Sequence, residues 1–134
     1  IKDIMTKDVI YMDNKSTVED VYNTIRSKKV HQIPITAFGK KIIGIVNKKV
    51  ILNLLMNDIE NAQEILKRKI EDIYLPEILT AEPESDVRKV VQIMLDLKLD
   101  AIPIVDENDI LMGIVSKTDI LKAVSHLPKL QLWS

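Results

Sequence analysis

Apolar residues recur with a helical period between positions 18 and 25. Val18, Val21, Tyr22 and Ile25 share one face, behind Ser16-Thr17-Val18-Glu19, which reads as a capping box. A short extended stretch, Val9-Ile10-Tyr11-Met12, precedes this helix. After it, Val30 to Thr36 and Ile42 to Val46 are brief apolar runs separated by Ala37-Phe38-Gly39-Lys40, the pattern of two strands joined by a turn. A second helix is predicted from about Asn47. The order then returns, with Val87, Val90, Val91 and Met94 as the helix face, Leu99 to Val105 and Ile110 to Val115 as strands, and a helix from about Ser116. Pro34 and Pro103 fall inside the first strand of each pair. Proline cannot donate to a ladder, so each strand is expected at an edge or with that amide position free, open to a ligand.

The return is a duplication. Ile1-Lys2-Asp3-Ile4 reappears as Ile70-Glu71-Asp72-Ile73, and Ser16/Ser85, Pro34/Pro103 and Gly44/Gly113 keep the same offset of 69. Pairing 1–57 with 70–126 gives 16 identities in 57 pairs with no insertion. A period this long exceeds a solenoid unit, so the chain is read as two copies of one small α/β unit facing each other across a pseudo-two-fold axis. Between the copies, 58–69 lacks Pro and Gly and carries Ile59, Ala62, Ile65 and Leu66 at helical spacing, which predicts a helical connector closed by Lys67-Arg68-Lys69. The tail 127–134, with Trp133, is apolar enough to dock, as a dimer contact or as a cover for the core.

Composition narrows the function classes. Of 134 residues, 46% are apolar and 29% charged, with no run of the ~18 apolar residues a membrane span needs and no signal-peptide pattern, so the expectation is a cytoplasmic protein without a membrane. A formal charge of −1 argues against a nucleic acid as main partner, and Lys67-Arg68-Lys69 reads as a solvated, dipole-matched helix end. The absence of cysteine removes disulfides, thiolate metal sites and a cysteine nucleophile. Two histidines, His31 and His126, no Gly-rich phosphate loop and no clustered metal ligands give no footing for an enzyme, and no metal or catalytic cofactor is expected.

One stretch carries candidate chemistry. In Gly113-Ile114-Val115-Ser116-Lys117-Thr118-Asp119 a strand breaks straight into a helix, with Ser116 at the N-cap and Asp119 three residues on. These two read as a reciprocal cap. The same hydroxyl, carboxylate and free helix N–H groups also suit a ribose and its phosphate. The first copy loses the acid, since 119 − 69 = 50 is Val50.

The ordered set Ile33-Pro34-Ile35 before Gly44-Ile45-Val46-Asn47, repeated as Ile102-Pro103-Ile104 before Gly113 to Asp119, resembles a tandem pair of cystathionine β-synthase (CBS) domains, or Bateman module. The resemblance reaches to about His126. It implies two β-α-β-β-α repeats packed sheet to sheet, a regulatory module, a homodimer, a regulated partner domain or protein, and an adenine nucleotide or S-adenosylmethionine bound in clefts between the repeats. Carried over residue by residue, the main cleft takes Asp119 for the ribose hydroxyls, Ser116 and Thr118 near ribose or phosphate, and Ile114 along the adenine. Its other wall comes from the first repeat, with Thr6, Asp8 and Val9 in the leading segment and Val30, His31, Gln32 and Pro34 around the first strand. The second cleft uses Ile45, Asn47, Lys48 and Lys49 with Ile78, Leu99, Asp100 and Ala101. Lacking the acid, and with Asp100 set to repel a phosphate, it is expected to be weak, empty or adapted to a different ligand, although Lys48 and Lys49 could hold a phosphate. The alternative is a structural dimerisation module whose clefts are vestigial.

Overall fold

The computed structural model describes residues 1–73 and 75–126, so the tail with Trp133 lies outside the described residues. The chain divides into two compact units, Ile10–Ile78 and the segment Ile1–Val9 together with the chain from Leu79 onward. Each sequence repeat thus gives up its leading segment to the unit built mainly from the other repeat.

In the unit 10–78, a three-stranded sheet runs in the order β1 (Met12–Asp13), β2 (Gln32–Ala37), β3 (Lys41–Asn47), with β1 parallel and β3 antiparallel to β2. Helices α1 (Val18–Lys28), α2 (Lys48–Met56) and α3 (Ala62–Lys67) complete it. Val18, Val21 and Ile25 of α1 interlock with Ile33, Ile35, Val46, Ile51 and Ile70 in a dry core. This is the burial the helical and strand periods demanded. The capping box falls one residue later than predicted, on Thr17 and Asp20. Ser16 is unavailable as the cap because its backbone is committed to the loop, its amide donating to the Asp13 carbonyl (3.0 Å) and its carbonyl accepting from Ile70 (2.8 Å). Helix α1 ends at Lys29, whose left-handed backbone (φ 54) lets its amide reach back to Ile25. Pro34 sits one residue before the β1 ladder starts at Ile35, so β1 asks no amide of it.

The connector is less regular than its sequence predicts. A 3₁₀ turn, Ile59–Asn61, precedes α3, and Arg68 and Lys69 are extended rather than helical. At the connector's start Asp58 accepts two bonds from the Asn61 side-chain amide; Ile59 is left in solvent while Ile65 stays buried.

In the other unit, helix α4 (Val87–Asp96) packs on an antiparallel pair, β4 (Ala101–Val105) and β5 (Leu111–Ser116), followed by α5 (Lys117–His126). Its core is Val90, Met94, Ile102, Ile104 and Val115, with Ile1, Ile4 and Met5 of the leading segment packed against it. Asp86 caps α4 where Thr17 caps α1. Single bridges flank the pair, Ala81 beside Ile104 and Thr6 beside Ile114. Ile114 exchanges both its backbone bonds with Thr6 (2.8 and 3.0 Å). Its register partner Pro103 is therefore in a non-hydrogen-bonded pair, and β5 requires no donor from the proline.

The leading segments are clasped alike at equivalent positions. Lys2 donates its amide to Pro83, as Glu71 donates to Asn14, both at 3.0 Å. The Glu71 carboxylate also takes the Lys15 ammonium at 2.8 Å and the Asn14 amide at 3.1 Å. Lys15 and Glu71 correspond, 69 residues apart, to Glu84 and Lys2, the same two charges with sides reversed. Among the described residues no helix is long and apolar enough to cross a membrane.

Candidate functional site

The β5–α5 junction gathers four side-chain hydrogen bonds. An α-helix start leaves backbone N–H groups without partners, and the junction satisfies them with a side-chain cap. The Asp119 amide donates to Ser116 Oγ (3.1 Å), while the Ser116 amide and hydroxyl donate to Asp119 Oδ2 (2.9 and 3.1 Å). The other carboxylate oxygen, Oδ1, accepts from Thr6 Oγ1 at 2.9 Å. Asp119 is half-buried, its carboxylate held by three donors from two chain segments 113 residues apart. An ionised carboxylate accepts only, at about four lone-pair sites, so the group suits paired hydroxyls and repels phosphate. Thr118, in the first turn of α5, is exposed, as is Asp8, whereas Val9 is partly and Ile114 almost wholly buried.

Gly113 makes this arrangement possible. A Cβ there would lie 2.6 Å from the Thr6 carbonyl oxygen and 3.0 Å from Met5 Sδ. Only a bare backbone lets the leading segment come close enough for the Thr6 hydroxyl to reach Asp119. Thr6 and its neighbours, expected on the wall opposite Asp119, therefore stand in the same unit as Asp119. Nothing local in the sequence signals this, although the matched glycines at 44 and 113 mark where such an approach is needed.

Asp100 is also modified by a neighbour that sequence reasoning missed. Lys117 Nζ lies 3.0 Å from Asp100 Oδ1, and the Lys117 amide donates to the Asp100 carbonyl (3.1 Å). The carboxylate expected to repel phosphate is offset by an ammonium, both well exposed. Leu99 and Ala101 beside it are partly buried.

The β3–α2 junction of the unit 10–78 has the same build with different chemistry. Asn47 Oδ1 accepts from the Val50 amide (2.8 Å), a one-sided cap, since Val50 has no carboxylate to return. Lys48 and Lys49 are exposed in the first turn, and Ile45 is half-buried. On the same unit, His31 is exposed, Val30 and Gln32 partly buried, and Pro34 buried in β2. Ile78 is its last residue, and Leu75 lies over Gly44, where a Cβ would meet Leu75 Cδ1 at 2.6 Å. The residues carried over for each cleft thus divide between the two units. Asp119, Ser116, Thr118, Ile114, Thr6, Asp8 and Val9 stand with Leu99, Asp100 and Ala101, and the remainder stand on the unit 10–78.

Known proteins share this architecture. Protein MJ1225 of Methanocaldococcus jannaschii superposes with a TM-score of 0.83 at 28% identity, over 92% of this chain and 47% of that one, so this chain spans about half the length of that relative. CBSX2, solved in complex with AMP, superposes at 0.83 with 20% identity over 96% of this chain and 98% of its own. The CBS domain pair of protein MJ0100, solved with 5′-methylthioadenosine and S-adenosyl-L-methionine, superposes at 0.75 with 21% identity over 94% and 95%. The family model of the CBS domain matches twice, over residues 1–57 and 70–126, and the chain belongs to the CBS domain family.

Proposed function

We propose that this chain is a regulatory module that senses an adenosine-containing small molecule and carries out no chemistry of its own. The observation that carries the reading is the Asp119 carboxylate at the β5–α5 junction, half-buried and fixed by its cap, with acceptor capacity left on Oδ1. AMP in CBSX2 and the two ligands of the MJ0100 pair share an adenosine and differ in what the 5′ carbon bears. The shared part presents a ribose diol, the partner an acceptor-only group needs. The β3–α2 junction, with Val50 in the place of the acid, lacks that partner and is the weaker half. Losing one charge-assisted hydrogen bond, roughly 1.5–3 kcal/mol, corresponds to about tenfold or more in affinity.

Binding to the folded state alone raises stability by about 2.7 kcal/mol at a ligand concentration 100 times the dissociation constant. AMP, ADP, ATP, 5′-methylthioadenosine and S-adenosylmethionine at millimolar concentration are therefore expected to include at least one that raises the melting temperature. Asp119→Ala should abolish that rise, measured against the variant's own ligand-free melting, and Val50→Ala should keep it. If all five leave the wild type unmoved, the chain is a structural module instead.

A further inference from the structure

Asp119 has more claimants than places. Its Oδ2 takes two donors from Ser116, and its Oδ1 takes Thr6 Oγ1, which leaves about one acceptor site for a ligand. A ribose diol brings two hydroxyls and needs one of the three bonds to break. The Ser116 pair belongs to the reciprocal helix cap, and breaking it would leave the half-buried Ser116 amide without its partner. The Thr6 bond is the cheaper one, because Thr6 is exposed and its hydroxyl turns to water without leaving a buried group unpaired.

We propose that Thr6 competes with the ligand's ribose for the Asp119 carboxylate, so that ligand binding is reported by the leading segment 1–9. The inference rests on the adenosine reading above. Thr6 ties the C-terminal end of that segment to its unit, through the hydroxyl and the two backbone bonds with Ile114, while Lys2 and the packed Ile1, Ile4 and Met5 hold the other end; the approach at Thr6 is close because Gly113 has no side chain. Freed from Asp119, Thr6 loses one of its three anchors and the segment loosens at that end.

The test pairs Thr6→Val, which keeps the branched shape and removes the donor, with Thr6→Ser, which keeps the donor. Affinities for AMP and 5′-methylthioadenosine are measured by calorimetry, and hydrogen exchange of residues 1–9 is followed with and without each. Removing a competing hydrogen bond should tighten binding of Thr6→Val roughly three- to tenfold, with Thr6→Ser near the wild type. In the wild type, ligand should speed exchange at the Thr6 and Ile114 amides; in Thr6→Val these amides should be fast already and change little. Unchanged or weaker binding by Thr6→Val, tightening by Thr6→Ser to the same degree, or slower exchange of 1–9 on binding would each overturn the competition while leaving the adenosine reading intact. A wild type that binds neither probe removes that reading, and the competition with it.

Discussion

Placing a methyl group on each of the two matched glycines should give unequal results, although both lie at the same position of the repeat. At Gly113 the new Cβ meets the Thr6 carbonyl oxygen at 2.6 Å, a backbone atom fixed by its bond to the Ile114 amide. The leading segment must move, with loss of the two backbone bonds and of the Thr6–Asp119 contact. Overpacking costs about 1–3 kcal/mol and the three lost bonds, at about 0.5–1.5 each, roughly another 1.5–4.5, so Gly113→Ala is expected to lose about 2.5 kcal/mol or more. At roughly 3–5 °C per kcal/mol for a chain of this size, melting falls by about 7 °C or more. At Gly44 the nearest atom, also at 2.6 Å, is Leu75 Cδ1, the end of a rotatable side chain, with Leu75 Cβ at 3.2 Å. Leu75 turns aside, and the lower freedom of alanine in the unfolded chain returns about 0.4–1 kcal/mol, so Gly44→Ala should stay within about 1 kcal/mol of the wild type. Urea unfolding of the two variants measures both. Equal losses, or a greater loss at Gly44, would refute the account of why the leading segment needs Gly113.

Two further outcomes follow from the clasps. The hydrogen bond that Lys15 donates to the Glu71 carboxylate, and then the charge of that carboxylate, raise the pKa of Lys15 above the usual 10.5. Because the folded value is the higher one, the stabilisation is complete below about pH 10.5 and fades as pH rises through the folded-state value. Lys15→Met should therefore flatten the alkaline fall in stability while changing neutral stability little, the side chain being exposed; parallel alkaline curves for variant and wild type would mean the pair does not form in solution. Deleting residues 1–9 should speed amide exchange in β5 and α5 roughly tenfold or more and leave β2 and β3 unchanged, since Ile1, Ile4 and Met5 pack on the core of Val90, Ile102 and Val115. Uniform acceleration across both units would contradict that assignment.

Much of this was legible in the residues. Val18, Val21 and Ile25, and again Val90 and Met94, face their cores as the helical period predicted, and each repeat's last two strands lie where the brief apolar runs stood. The first strand of the second copy shrinks to the single bridge at Ala81. The cap slipped from Ser16 to Thr17 because both positions offer a hydroxyl with an acid three residues on, and the bonds that commit the Ser16 backbone, its amide to Asp13 and its carbonyl from Ile70, decide between them. The connector is helical over 59–67, with its first turn 3₁₀ where Asn61 bonds to the Asp58 carboxylate, a detail that apolar spacing does not register. Of the candidate site, the Ser116–Asp119 cap was readable from spacing, whereas the Thr6–Asp119 bond joins residues 113 apart, and local pattern is silent about which unit a short segment joins.

The reversed clasps bear on how the chain sorts its own pieces as it folds. Ile1-Lys2-Asp3-Ile4 and Ile70-Glu71-Asp72-Ile73 are alike enough in shape and oiliness to fit one another's seats. Were they to trade places, Lys2 would come to rest against Lys15, like sign facing like in the seat where Glu71 now takes the Lys15 ammonium at 2.8 Å. One charge thus tells two matching segments apart, and misassembly meets repulsion at that seat where a matching sequence alone would have allowed it.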